Sequence, residues 1–322
     1  MQSVLTLIFT LTLLLFTACT PTPSPTKTTK KESQPQDVQI FSSKNLDGHI
    51  NPQSIEEAFD SLGVTIISNN NMNLPFKKKF HQTTFKVYNL ALFMHNELSY
   101  KLLEKYPSFG TLTPLSLSIY ADKERMHIAT LTKHGIARVA QIPEDDPDLE
   151  RYVELINSAL HKAMPQGHYE KKELSSAGED PLQIELTKEV DLSKHSAEEY
   201  VEEFEAEFEA EMEPLGFLFP NFLNVKEDLF APHGNEEYDF YHTYSICKFD
   251  VIYKISKEHP EAGAWAPCSF VIYKKKDEKQ MHLLFLSVEN WITTLNIEDE
   301  ASKELLYKAQ NMMLSVLKKL TK

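Results

Sequence analysis

The pattern of apolar and polar positions predicts the same succession of elements in each half of the chain. Period-two alternation indicates half-buried strands, and apolar residues at helical spacing indicate amphipathic helices. In the first half the pattern predicts helices at 52–62, 97–106 and 148–164 and strands at 64–68, 84–93, 115–120 and 125–131. In the second half it predicts helices at 197–212, 250–258 and 299–320 and strands at 217–225, 237–246, 269–273 and 281–287. We therefore expect an α+β fold in which a mainly antiparallel sheet covered by helices occurs twice.

The two halves also match residue by residue. Five residues of segment 100–120 recur 153 positions later, as the pairs Tyr100 and Tyr253, Pro107 and Pro260, Gly110 and Gly263, Pro114 and Pro267, and Tyr120 and Tyr273. This period is far longer than that of a solenoid repeat, so it indicates two tandem homologous domains. Such copies often pair about a pseudo-twofold axis, and we expect a pseudo-dimer within one chain.

Composition divides the chain into five parts. We assign residues 1–18 to a signal peptide, 19–49 to a disordered tether, 50–165 to the first repeat domain, 166–194 to a linker and 195–322 to the second repeat domain. The tether begins with a Thr-Pro repeat and continues with Lys and Ser, so it has too few apolar residues to order itself. The linker is polar and contains Gly167, Gly178 and Pro181.

The N-terminal apolar run resembles a bacterial lipoprotein signal. The run from Val4 to Ala18 would span about 22 Å as a helix, which is short of a bilayer core of about 30 Å. Thr17 and Ala18 precede Cys19 as small residues do in a lipobox, and the resemblance implies a Cys19 that carries acyl chains such as palmitate. A plain cleaved signal or an uncleaved anchor is the alternative, because Lys and Arg are missing from the start. Thr20 suggests sorting to the outer membrane.

Charge and motifs exclude several classes of function. The net charge is −14, so the chain offers no basic surface for nucleic acid. The sequence has no glycine-rich phosphate loop, no G-x-S-x-G elbow and no H-E-x-x-H helix, which favours a non-catalytic protein without a cofactor.

Two cysteines of the second half remain as candidates for chemistry. At the 153-residue offset, Cys247 matches Met94 and Cys268 matches Leu115, so both cysteines are predicted to lie inside the domain as buried thiols or as a structural disulfide. A soft-metal or haem site that adds Met281 is the alternative.

Two tryptophans are candidates for lining a groove. Trp265 lies in the turn between Gly263 and Pro267, and Trp291 follows the last predicted strand. An aromatic residue beside a turn can equally fill the core.

A family resemblance rests on the second copy. The residues that carry it are Ser245-Ile-Cys247, Tyr253, Gly263-Ala-Trp-Ala-Pro267-Cys268 and Val271-Ile-Tyr273. They resemble the bacterial domain-of-unknown-function family 302, with Lys248-Phe249 in place of the usual Asn-Pro. The first copy keeps the Gly110 and Pro114 frame without the cysteines. The resemblance implies a small α+β domain with no assigned reaction.

Together these features predict a lipid-anchored cell-envelope protein that faces the periplasm and binds an envelope protein or a small molecule. The alternative is a thiol-based redox protein or a soft-metal or haem protein that uses the cysteines of the second domain. Because only the second copy has these cysteines, we expect special chemistry in that copy alone.

Overall fold

The computed structural model describes residues 36–171 and 182–322, so the predicted signal peptide, Cys19 and most of the predicted tether lie outside the described residues. The described strands are β1 Val38–Lys44, β2 Thr65–Asn71, β3 Val87–Met94, β4 Leu115–Ala121, β5 Arg125–Leu131, β6 His168–Tyr169, β7 Gln183–Glu189, β8 Leu218–Asn224, β9 Tyr238–Cys247, β10 Cys268–Lys275 and β11 Gln280–Leu286. The described α-helices are α1 Pro52–Asp60, α2 Asn73–Phe80, α3 Asn96–Lys105, α4 Lys133–Ala140, α5 Pro147–Ala163, α6 Ala197–Met212, α7 Phe249–Ser256, α8 Glu289–Thr294 and α9 Glu300–Leu320.

The strands form two antiparallel sheets with the same order. The first sheet runs β2-β3-β4-β5-β1-β6, and the second runs β8-β9-β10-β11-β7 when it is read in the same direction. Each strand of the second sheet therefore has a counterpart at the same place in the first sheet. This arrangement confirms the predicted α+β class and the predicted tandem repeat.

Two strands lie where the sequence pattern predicted a tether and a linker. Strand β1 belongs to the range 19–49, yet it pairs along its whole length with β5, and Val38 and Phe41 on it are fully buried. Strand β7 belongs to the range 166–194 and pairs with β11. Both strands form because they cover an otherwise open sheet edge, and pairing with a distant strand leaves little trace in local composition.

Several shorter elements also differ from the prediction. Strand β2 continues through Asn69, Asn70 and Asn71, where the pattern predicted a break, because these residues pair with β3. Helices α2, α4 and α8 were not predicted. Each of the three has at most eight residues, which is too short for a clear helical period.

Helices cover one face of each sheet and form its core. In the first repeat α1 packs on the sheet, where Phe59 meets Phe93 with ring centroids 5.7 Å apart. In the second repeat α6 takes this place, and Phe208 meets Phe270 at 4.6 Å. Helix α6 starts at a capping box, in which Ser196 accepts from the Glu199 N–H and the Glu199 side chain accepts from the Ser196 N–H.

The opposite face of each sheet is covered by a short 3-10 helix from the other repeat. The first-repeat helix Pro107–Leu112 packs on β10 of the second repeat, and the second-repeat helix Pro260–Ala264 packs on β4 of the first. One hydrogen bond holds each helix to the other repeat. Tyr241 Oη donates to the Pro107 carbonyl at 2.5 Å, and Ser118 Oγ donates to the Pro260 carbonyl at 2.6 Å. The two acceptors occupy equivalent positions although the two donors do not, so it is the exchange of the helices that is isologous, as in a twofold dimer.

Matched aromatic stacks extend the same interface. Phe80 of the first repeat stacks on Tyr253 of the second, with centroids 3.8 Å apart. His233 of the second repeat stacks on Tyr100 of the first at 3.9 Å. Both partners in these pairs are again 153 residues apart, so the repeats form a pseudo-dimer.

Candidate functional site

A pocket opens in the second repeat where β9 and β10 meet the helices. It has a volume of about 80 Å³. The end of β9, the start of β10 and the helices α7, α8 and α9 contribute its walls. Its lining is mostly apolar and consists of Phe217, Ile246, Cys247, Lys248, Val251, Ile252, Ala266, Pro267, Cys268, Ser269, Phe285, Leu286, Val288, Trp291, Leu306, Ala309, Gln310 and Met313. This composition is typical of a site for a small, largely apolar ligand.

The structure brings both candidate cysteines to this pocket. Cys247 is the last residue of β9, and Cys268 is the first residue of β10. Cys268 pairs in register with Ile246, the residue before Cys247, so the two cysteines lie at the same end of adjacent strands. Both are free thiols.

The two thiols are poor nucleophiles in this environment. Burial raises the pKa of each to about 12, and for Cys268 a hydrogen bond with the Trp291 side chain opposes that increase. A thiol with such a pKa is almost entirely protonated at neutral pH, whereas the thiolate is the reactive form. The pocket therefore presents the cysteines as small apolar surfaces.

The first repeat fills the equivalent space with larger side chains. Met94 and Leu115 replace the two cysteines, and both are buried. Tyr152 enters from α5, where its hydroxyl accepts from the His95 N–H at 3.1 Å and lies 3.3 Å from Ser99 Oγ. At the 153-residue offset, His95 and Ser99 match the pocket residues Lys248 and Ile252, so the Tyr152 hydroxyl lies beside the counterparts of two pocket residues. The second repeat thus keeps open a space that the first repeat fills.

Two long polar side chains lie at the pocket. Lys248 Nζ donates to the Leu215 carbonyl at 2.6 Å and lies 5.2 Å from the centre of the Phe217 ring. Within the described ranges, no carboxylate oxygen lies within 4.0 Å of this ammonium group. Gln310 Oε1 accepts from the Val288 N–H at 2.8 Å, which leaves its amide N–H groups as donors.

The remaining residues singled out in the sequence divide between pocket and core. Trp291 lines the pocket, as one of the two groove candidates. Trp265 is 1% exposed and does not line it; its indole N–H donates to Thr294 Oγ1 at 2.9 Å. Met281 is fully buried in the core under α6 and α9, at the other end of β11, so the structure does not bring it to the cysteines. Among residues 36–171 and 182–322, no three His, Cys, Asp or Glu side chains converge into a metal-binding group.

A pair of matched histidines lies outside the pocket. His127 stacks on Tyr120, and His282 stacks on Tyr273, with ring centroids 4.7 Å apart in both cases. Each imidazole lies between two carboxylates. The repeated Met-His dipeptide of β5 and β11 was the signal, but its offset is 155 because the second hairpin is two residues longer.

The charge of His127 follows from its partners. Its Nδ1 lies 2.7 Å from Glu170 Oε1, and its Nε2 lies 3.1 Å from Asp122 Oδ2. Burial opposes the charged imidazolium, but the hydrogen bonds to Glu170 and Asp122 outweigh burial and raise the pKa of His127. These carboxylates lie on opposite sides of the ring, so the cluster is an ion-pair network and its ligands do not converge on one metal position.

No helix formed by the described residues is both long and apolar enough to cross a membrane.

Comparison with known proteins identifies the family. The sequence profile of the family Domain of unknown function DUF302 matches residues 52–165 and 192–320. The matches cover more than half of the chain, so the protein belongs to this family and carries two copies of its domain in tandem. The chain is also similar to the structure titled "Crystal structure of uncharacterized conserved protein DUF302 from Bacillus stearothermophilus", with 14% identity, a TM-score of 0.36, and coverage of 44% of this chain and 100% of that one. No curated protein matches the chain.

Proposed function

We propose that this protein is a non-catalytic binding protein whose second repeat holds a small, largely apolar ligand in the cysteine-lined pocket. The observation that carries the proposal is the difference between the repeats. Equivalent positions are filled by Met94, Leu115 and Tyr152 in the first repeat, whereas the second repeat leaves about 80 Å³ open. The neutral thiols favour a role in shaping the pocket over a role in redox chemistry.

Two substitutions of Cys268 separate pocket shape from thiol chemistry. Cys268→Leu introduces the residue of the first repeat and should fill the pocket, whereas Cys268→Ser keeps the size and removes the sulfur. Xenon is a suitable probe because it enters dry apolar cavities and has no polar group. We expect xenon to shift the NMR signals of pocket residues in the natural protein and in Cys268→Ser, and to lose this effect in Cys268→Leu.

Other results would decide against the proposal. Equal xenon shifts in Cys268→Leu would mean that the pocket is not the binding site. If the protein instead purifies with a metal or haem that Cys268→Ser loses, the thiol or soft-metal function is correct.

The location of the protein is a second part of the proposal. A lipobox-like Thr17-Ala18-Cys19 favours lipid anchoring in a bacterial cell envelope, with the folded part in the periplasm and the anchor in the outer membrane. Mass spectrometry of the N-terminal peptide from the membrane fraction should show an acylated Cys19 as the first residue. An unmodified Cys19, or a peptide that still contains residues 1–18, would rule out the anchor.

A further inference from the structure

The polar groups of the pocket are mainly hydrogen-bond donors. Lys248 has three N–H groups, of which the Leu215 carbonyl accepts one. Gln310 uses its carbonyl oxygen on Val288, so its amide N–H groups remain available as donors. The hydroxyl of Ser269 can donate or accept, and none of the lining residues is acidic. A ligand therefore meets donors and one positive charge.

The positive charge is unusual for this chain. The sequence has 47 acidic and 33 basic residues, so a lysine at a pocket without an acidic neighbour is a local exception. In the first repeat the equivalent residue, His95, caps helix α3 by accepting from the Leu98 N–H at 3.3 Å. Lys248 is the N-cap residue of α7, but its ammonium group cannot accept a hydrogen bond and makes no capping contact with the helix, so it does not have the role of its counterpart.

The size of the pocket limits the apolar part of the ligand. An engineered cavity of about 150 Å³ accepts benzene, so a volume of 80 Å³ encloses roughly three carbon atoms. The pocket is not sealed, and a longer chain can extend through its mouth. The enclosed part would contact Cys247, Cys268 and Trp291, and the polar end would reach Lys248.

We propose, on the basis of the proposed function, that the ligand is a short-chain carboxylate or a similar small apolar anion. Its aliphatic end occupies the space between the two thiols and Trp291. Its carboxylate accepts hydrogen bonds from Lys248 Nζ and from the Gln310 amide. Charge-assisted hydrogen bonds of this kind are the stronger ones in proteins, so the head group determines specificity while the apolar end fills the pocket.

The test compares three probes of equal chain length: hexanoate, 1-hexanol and hexylamine. NMR titration of the natural protein at pH 7 should show hexanoate binding at least tenfold more tightly than 1-hexanol, with hexylamine the weakest, because a hydrogen bond to a charged group contributes about ten- to hundredfold in affinity. In Lys248→Met the affinity for hexanoate should fall at least tenfold, toward that for 1-hexanol, while the affinity for 1-hexanol stays the same.

A second variant keeps the inference testable if Lys248 is needed for folding. If Lys248→Met unfolds because the contact with Leu215 is lost, Gln310→Leu should still reduce the preference for hexanoate. Equal binding of hexanoate and 1-hexanol by the natural protein, or a preference that is undiminished in both variants, would overturn this inference. Xenon binding without hexanoate binding would refute the anionic ligand alone, whereas absence of both would refute the binding pocket as well.

Discussion

The interface between the repeats should be sensitive to one methyl group at Gly110. A Cβ atom at this position would lie 2.1 Å from Tyr241 Oη and 3.0 Å from Tyr241 Cζ. Tyr241 is fully buried, and Tyr238 and Tyr273 pack beside its ring at centroid distances of 5.2 and 5.3 Å. The tyrosine therefore has little room to move. We expect Gly110→Ala to push the hydroxyl away from the Pro107 carbonyl.

The magnitude follows from the two contacts that change. Overpacking of a tight core costs about 1–3 kcal/mol. Leaving a buried hydrogen-bonding group without its partner costs about 1–3 kcal/mol more. Gly110→Ala should therefore lower the free energy of unfolding by about 4 kcal/mol. In a Tyr241→Phe background the hydrogen bond is already absent and the contact at 2.1 Å is removed, so the same substitution should cost only about 1–2 kcal/mol.

Urea unfolding of the natural protein, Gly110→Ala, Tyr241→Phe and the double variant measures the coupling between the two positions. Gly48→Ala is the control: its backbone is left-handed with φ 73°, but no atom lies within 4 Å of the added Cβ. It should cost about 1–2 kcal/mol in both backgrounds. A cost of Gly110→Ala below about 1 kcal/mol, or an equal cost with Tyr241 and with Phe at that position, would show that the tyrosine does not restrict this site.

Three further predictions concern other parts of the chain. The pKa of His127 is raised in the fold, so the stability that its charge contributes is fully present below the unfolded pKa of about 6.5 and is lost as the pH rises through the folded pKa. His127→Asn should therefore destabilise the protein more at pH 6 than at pH 9. Equal losses of unfolding free energy in urea at the two pH values would contradict this. Cys247 and Cys268 should react with iodoacetamide at pH 8 far more slowly in the folded protein than in urea, and rapid labelling of the folded protein would contradict the raised pKa of the two thiols. A chain that begins at residue 50 should fail to give a cooperative unfolding transition, whereas one that begins at residue 36 should keep it, because β1 Val38–Lys44 completes the first sheet.

Local patterns predicted the elements that carry their own signal. Helix α6 has the predicted bounds, 197–212, because its apolar residues recur at helical spacing over sixteen positions. The bounds of β4 and β5 also follow the prediction closely, because β4 alternates apolar residues with serine. The predicted half-buried character is wrong, since nearly every residue of both strands is buried. The repeat reinforced these assignments, since each element was read twice.

Elements that depend on distant partners could not be predicted in this way. Strand β1 pairs with β5, which lies about ninety residues further along the chain, and its flanks have the composition of a tether. Strand β7 follows a polar segment and is half-exposed. In both cases the strand is stabilised by pairing with a distant strand and by covering the sheet, and the neighbouring residues in the sequence show neither contribution.

The pocket could be predicted only in part. The offset located Cys247 and Cys268 in the second copy and identified them as interior positions. It did not reveal the open space, because the offset changes at the second hairpin and therefore gives no counterpart for Tyr152. The role of Lys248 depends on three-dimensional contacts with Leu215 and Phe217, which lie more than thirty residues earlier.

Under the proposed function, the two copies share the demands of stability and binding unequally. Unfilled volume in a core costs about 24 cal/mol per Å³, so a pocket of 80 Å³ corresponds to about 2 kcal/mol of lost packing in the second copy. The first copy avoids this loss, since Tyr152 fills the equivalent space and makes hydrogen bonds there. The 3-10 helix of each copy packs on the sheet of the other, so the filled copy supports the open one through the contacts of Gly110 and Gly263. A single domain with the same pocket would have to offset that loss within its own smaller core, which is the physical advantage of the duplication.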